Sequence, residues 1–243
     1  MCTVCSARRH ASVAELRFAL IGEGSTDHAL LPVIEWLLRE HLSPADVVGI
    51  WANRRQLPAP RPRSLAERIV GAMSDSSCDL LFVHRDADRA GRSARVDEIV
   101  RAVSQARTVL VGSPPVIPVV PVRETEAWLL LDEVAIRSGA RNPNGRVRLA
   151  LARASQIERL SDPKHTLRDL LHVASELRGR DRDRLLVDPI DVANSISDFA
   201  PLRQLPAFQA FEDDVRRQLP AFQAFEDDVR RVIAEQGWPE RLG

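Results

Sequence analysis

The sequence predicts an α/β protein: a mainly parallel sheet with helices on both faces, followed by a helical C-terminal region. Three observations carry this. Short uninterrupted apolar runs, the pattern of strands buried on both faces, recur along the first half of the chain. Between them lie stretches with apolar residues at helical spacing. Beyond Arg123 the strand pattern stops and only helical periodicity continues. The expected organisation is a disordered tail over 1–13, an α/β domain over 14–122 and a helical region over 123–243.

The elements follow in order. Leu16 to Ile21 (LRFALI) reads as a buried strand, ended by the turn-forming Gly22 to Asp27 (GEGSTD). From Asp27 the apolar positions Leu30, Leu31, Ile34, Leu37 and Leu38 predict a helix to about His41. Val47 to Trp51 is a second strand, and a proline-punctuated loop with Arg54, Arg55, Arg61 and Arg63 follows it. Ser64 with Glu67 three residues on is a capping-box pattern and starts the next helix. Asp79 to His84 is a third strand, Ser93 to Ala106 a helix, and Val116 to Val120 a fourth strand. Further helices are predicted over 124–137, 145–154, 165–177 and 188–196.

Composition excludes some classes of function. Among 243 residues, 34 basic and 34 acidic side chains cancel, so no global basic surface drives nucleic-acid binding, although a local patch is compatible. Arginine supplies nearly all the positive charge and Lys164 is the only lysine, a bias that compositional drift explains without function. Cys2 and Cys5, with His10 following, have the spacing of half a zinc site. A structural zinc takes four protein ligands and no second pair exists, so the segment reads as a tail. The odd cysteine count and the lack of a charged-then-apolar leader predict a reducing cytoplasm. No apolar run approaches the roughly 20 residues of a membrane span.

Residues 204–217 (QLPAFQAFEDDVRR) recur without a change at 218–231, a recent duplication or an assembly error in the sequence. One copy is expected to pack as a core helix and the other to extend or displace it.

Three carboxylates mark the candidate site. Ligands of open parallel sheets gather beyond the carboxyl ends of the strands. Glu23 follows the first strand there, and Asp86 and Asp88 follow the third. In extended backbone, side chains two residues apart leave the same face, so Asp86 and Asp88 are expected to aim together at one hard cation. Magnesium takes one or two carboxylates, retained waters and a phosphate, and Glu23 completes a plausible set. Arg85 is expected to balance the charge of the two aspartates. Glu124 and Glu126 sit at the start of an apolar helix, where acids favour the macrodipole; Glu126 is also carried as a candidate for the site. Trp128 reads as core. Arg54, Arg55 and Lys164 are candidate phosphate contacts, with a solvated loop and a surface ion pair as the plainer readings.

The segments LRFALIGEGSTD (16–27) and DLLFVHRDADRAGR (79–92) resemble the TOPRIM domain of topoisomerases, bacterial primases and OLD-family nucleases. Glu23, Asp86 and Asp88 match its glutamate and DxD. The resemblance implies a Rossmann-like sheet, a DxD that binds Mg2+ (or Mn2+), and a glutamate serving acid–base chemistry or a second metal. IPVVPVRETEAWLL (117–130), Pro163-Lys164 and the Leu-Pro-Ala-Phe segment resemble a narrower bacterial TOPRIM-like family encoded beside AAA or ABC-type ATPases. No primase zinc domain can be matched, and the chain has no tyrosine for topoisomerase chemistry. The expected function is therefore magnesium-dependent phosphodiester chemistry on nucleic acid, of nuclease type, with a partner ATPase in phage defence or DNA repair. The alternative is a non-catalytic sensor or adaptor for such an ATPase.

Overall fold

The apolar runs become four strands, β1 (Glu15–Ile21), β2 (Asp46–Trp51), β3 (Leu80–His84) and β4 (Val116–Val119). The computed structural model describes residues 15–42, 46–52, 64–75, 77–110 and 112–219. Cys2, Cys5 and His10, the arginines at 54, 55, 61 and 63, and nearly all of the second repeat copy lie outside the described residues. The strands form one parallel sheet in the order β2-β1-β3-β4. Phe18 of β1 stands opposite Gly49 of β2 and Leu80 of β3. Pro118 lies in β4, where an absent amide donor is tolerated because β4 is an edge.

Alternation along the strands divides the apolar side chains between two layers. Leu16, Phe18, Leu20, Leu80 and Phe82 face α1 (Leu30–His41) and the C-terminal helices. Ala19, Ile21, Leu81 and Val83 face α2 (Leu65–Asp75) and α3 (Gly91–Arg107). The predicted capping box is present at the start of α2. The Ser64 hydroxyl accepts from the Glu67 amide at 3.1 Å, and the Glu67 carboxylate accepts from the Ser64 amide at 3.2 Å.

The helical region departs from expectation in two places. The helix predicted over 124–137 is a 3-10 turn (Thr125–Leu129) and then a separate helix, α4 (Glu133–Gly139). The Asp132 side chain accepts from the Ala135 amide at 3.0 Å and begins α4 afresh. The helix predicted over 145–154 is absent, and only α5 (Ala154–Ile157) is helical near there. The Arg146 and Val147 amides donate instead to Glu176 Oε1, at 2.5 and 3.0 Å.

The remaining elements are α6 (Pro163–Ser175), α7 (Gly179–Asp183), α8 (Pro189–Ala193), a 3-10 turn at Ala200–Gln204 and α9 over 206–219. Phe208 and Phe211 of α9 are fully buried. Trp128 meets Phe208 edge-on with ring centres 5.2 Å apart and stacks on Phe211 at 5.8 Å. Phe211 also meets Phe82 of β3 at 6.1 Å, so the helical region and this face of the sheet share one core.

Candidate functional site

β1 and β3 lie side by side at the centre of the sheet. The chain leaves β1 for β2 on one side, while β4 lies beyond β3 on the other. The chain after β1 and after β3 therefore turns to opposite sides, the place in an open parallel sheet where a ligand crevice is expected. Glu23 is on the first loop; Asp86 and Asp88 are on the second.

The β1 loop is shaped by Asp27, which is buried. Its Oδ2 accepts the amides of Glu23 at 2.6 Å and Gly24 at 2.8 Å. Gly22 permits this closeness: a Cβ there would meet the Trp51 ring and come within 2.7 Å of Asp27 Cβ. From α2, the Arg68 guanidinium donates to the Gly22 carbonyl.

His84 ends β3 and is wholly enclosed. Its Nδ1 lies 3.1 Å from the Val119 carbonyl, which can only accept, so Nδ1 carries the proton. Nε2 then turns its lone pair toward Asp86 Oδ1 at 3.4 Å, Asp27 Oδ2 at 3.6 Å and the Thr125 hydroxyl at 3.4 Å. Burial holds this imidazole below its ordinary value, with Asp27 pulling the other way. Asp86 is driven up to about 8, first by burial and then by the charges of Asp27, Asp88, Glu126 and Glu124. Asp86 Oδ1 is buried without a hydrogen-bond partner.

The two other sequence-named carboxylates are placed differently. Glu23 Oε1 accepts from the Arg85 guanidinium, and its Oε2 lies 3.4 Å from the Asp86 amide. Arg85 also donates to Glu98 at 2.5 Å, so it bridges Glu23 to α3 rather than balancing the DxD. Burial opposes it, yet hydrogen bonds from Arg95 and Arg85 hold the Glu98 carboxyl below its ordinary value. Asp88 is not in extended backbone: its φ is +45°, within a turn, and the same-face argument fails there. Its carboxylate is half-exposed and lies 4.0 Å from Arg95.

Glu126 does reach the site. The 3-10 turn after β4 buries it, its Oε1 has no hydrogen-bond partner, and its charge acts on Asp86. Burial foremost raises its carboxyl, while Lys164 nearby lowers it. Glu126, Lys164, Thr26, His165 and Arg168 line an open cleft of about 260 Å3. Glu124 turns aside to accept the Lys164 amide at 2.9 Å at the start of α6. Trp128 is core, as expected.

The structure thus brings Asp86, Asp27 and His84 together, sets Glu126 near enough for its charge to act on Asp86, and leaves Asp88 at the rim. Among the described residues, no group of three or more His, Cys, Asp or Glu is arranged to hold a metal. One oxygen of Asp86 and one of Glu126 are each buried without a hydrogen-bond partner, and carboxylate oxygens are the donors a hard cation takes. Asp27 and His84 were missed as site residues. Their signals were slight: an aspartate closing GEGSTD, and a histidine ending an otherwise apolar strand. Compared with known protein families, curated proteins and solved structures, the chain matches none. No helix among the described residues is long and apolar enough to cross a membrane.

Proposed function

We propose that the crevice beyond β1 and β3 carries out magnesium-dependent phosphodiester chemistry on nucleic acid, of nuclease type. The observation that carries this reading is the pair of buried, unpartnered carboxylate oxygens of Asp86 and Glu126 in a crowd of like charge. Buried polar atoms without partners are costly, and a cation would relieve both at once. Mg2+ or Mn2+ held there would polarise a scissile phosphate and lower the pKa of a bound water. Asp86 and Glu126 would hold the ion. Lys164, on the wall of the cleft that Glu126 enters, contacts the phosphate. Asp27 fixes the Glu23 loop, and Glu23, once released by Arg85, serves as base or second ligand. The likeness of residues 16–27 and 79–92 to TOPRIM supports nucleic acid as substrate. The narrower likeness supports an AAA or ABC-type ATPase partner, in phage defence or DNA repair.

A second reading is favoured by the Arg85 contact. A Glu23 occupied by a guanidinium and an Asp88 turned to Arg95 describe a site at rest, as in a sensor or adaptor for an ATPase. Titrating the protein with Mn2+ by calorimetry, then assaying cleavage of single- and double-stranded DNA and RNA, separates the two. Metal-dependent cleavage lost in Asp86→Ala supports the nuclease. Absence of binding at millimolar Mn2+ supports the adaptor, and cleavage unchanged in Asp86→Ala removes Asp86 from the chemistry.

A further inference from the structure

Residues 203–217 and 217–231 read identically, RQLPAFQAFEDDVRR, sharing the arginine between them. The first copy fills a defined socket. Phe208 and Phe211 pack on Trp128, and Phe211 on Phe82. The buried Glu212 carboxylate is held by His41 at 2.9 Å, Arg203 at 3.0 Å and Arg216 at 3.1 Å. The Ala207 amide donates to Glu158 at 2.9 Å, and Asp214 pairs with Arg92.

The socket side of these contacts, Phe82, Arg92, Trp128, His41 and Glu158, lies outside the repeat. Fourteen residues on, Phe222, Phe225, Glu226, Ala221 and Asp228 offer the same groups in the same order. The repeat's own arginines are replaced as well, Arg203 by Arg217 and Arg216 by Arg230. Leu205 and Leu219 are both buried in the observed register; their counterparts are Leu219 and Ile233, an apolar match at each end. Equivalence stops at the buried Leu202, whose counterpart is Arg216.

We propose that the two copies are alternative occupants of this one socket. The chain exchanges between a register with the first copy seated and one, slipped by fourteen residues, with the second copy seated and 203–216 looped out. Loop-closure entropy grows only slowly with length, so an insertion of this size disfavours the slipped register without forbidding it. A tethered copy also has a far higher effective concentration at the socket than a copy on another chain. Pro206 and Ala207 line the cleft beside Ala87 and Asp88, and their counterparts are again proline and alanine. The wall next to the DxD loop is therefore the same in either register.

Deleting either copy yields the same polypeptide, so point substitutions must tell them apart. Phe211→Asp, Phe225→Asp and the double variant are compared in the full chain by thermal circular dichroism, size-exclusion chromatography and limited trypsin digestion. Phe225→Asp should melt as the parent does. Phe211→Asp should stay monomeric, melt cooperatively a few degrees lower, and gain rapid cleavage at Arg203 and Arg216. The double variant should lose its cooperative transition. A Phe211→Asp chain as unfolded as the double variant overturns the proposal. So does a folded Phe211→Asp dimer, which would seat a second chain's copy, and so does a double variant that still melts cooperatively.

Discussion

His84 Nε2 lies 3.4 Å from Asp86 Oδ1, and burial acts on the two in opposite senses, raising Asp86 and lowering His84. In the folded chain at neutral pH Asp86, raised to about 8, is a carboxylic acid, and His84 stays neutral. In the unfolded chain the same two residues revert to a carboxylate and an imidazole of ordinary pKa near 6.5.

That difference predicts a pH window of instability in metal-free protein. Between about pH 4 and 6.5 the unfolded pair carries one proton, on histidine, and the folded pair also carries one, on Asp86. No slope results. From 6.5 to 8 the unfolded chain has lost its proton while the folded chain keeps Asp86 protonated, so stability falls as pH rises. The slope is at most about 1.4 kcal/mol per pH unit, or about 2 kcal/mol across the window. Urea unfolding in the presence of chelator at pH 6.0 and 8.5 should show the loss, and Asp86→Asn should abolish it, leaving only the slight rise that the unfolded histidine's titration produces. A wild-type curve that is flat across this interval would show that Asp86 is already ionised.

The Gly22→Ala variant should be destabilised by about 1–3 kcal/mol, the usual range for overpacking. The new methyl would press on the Trp51 ring and on Asp27 Cβ, and Asp27 is the group that holds the Glu23 and Gly24 amides. Urea midpoints measure the cost. Amide hydrogen exchange at Glu23 and Gly24 should accelerate more than exchange in β1 itself.

Much of this was legible in the sequence because it depends on local pattern. The four strands, the helices α1 to α3 and the Ser64–Glu67 box follow from apolar spacing and capping chemistry within a few residues. What failed depends on partners remote in the chain. Residues 145–154 have a helical spacing, yet they run as a loop whose Arg146 and Val147 amides are held by Glu176, about thirty residues on. The acidic surroundings of the His84–Asp86 pair are invisible until β1 and β3 are neighbours, since Asp27 reaches His84 from the first loop. The error at Asp88 is local and of another kind. The strand ends at His84, so a rule for extended backbone was carried past its last residue.

Trp128→Ala should cost about 3–5 kcal/mol, as for a large aromatic removed from a packed core. Its ring is enclosed between Phe208 and Phe211, so it offers no face to a nucleic-acid base. Chemical denaturation tests this. A variant that kept its stability but lost nucleic-acid affinity would reassign Trp128 from core to binding surface.

The two aspartates of the DxD should not be equivalent. Asp86 points into the crowded acidic crevice with a buried, unpartnered oxygen. Asp88 sits at φ +45°, half-exposed, with Arg95 as its nearest cation. If Asp86 and Glu126 both ligate Mn2+, as proposed, Asp86→Asn and Glu126→Gln should each weaken it at least tenfold, because each removes one of the few carboxylates such an ion takes. Asp88→Asn should change it by less than about threefold, the scale of a half-exposed charge outside the coordination sphere. Asp88→Gly should in addition stabilise the fold slightly, by up to about 1 kcal/mol, since glycine occupies left-handed backbone without strain. Calorimetry on the four variants decides between arrangements. An equal loss in Asp86→Asn and Asp88→Asn would mean that the turn at Asp88 rearranges when the ion arrives, swinging the second carboxylate away from Arg95 and onto the metal.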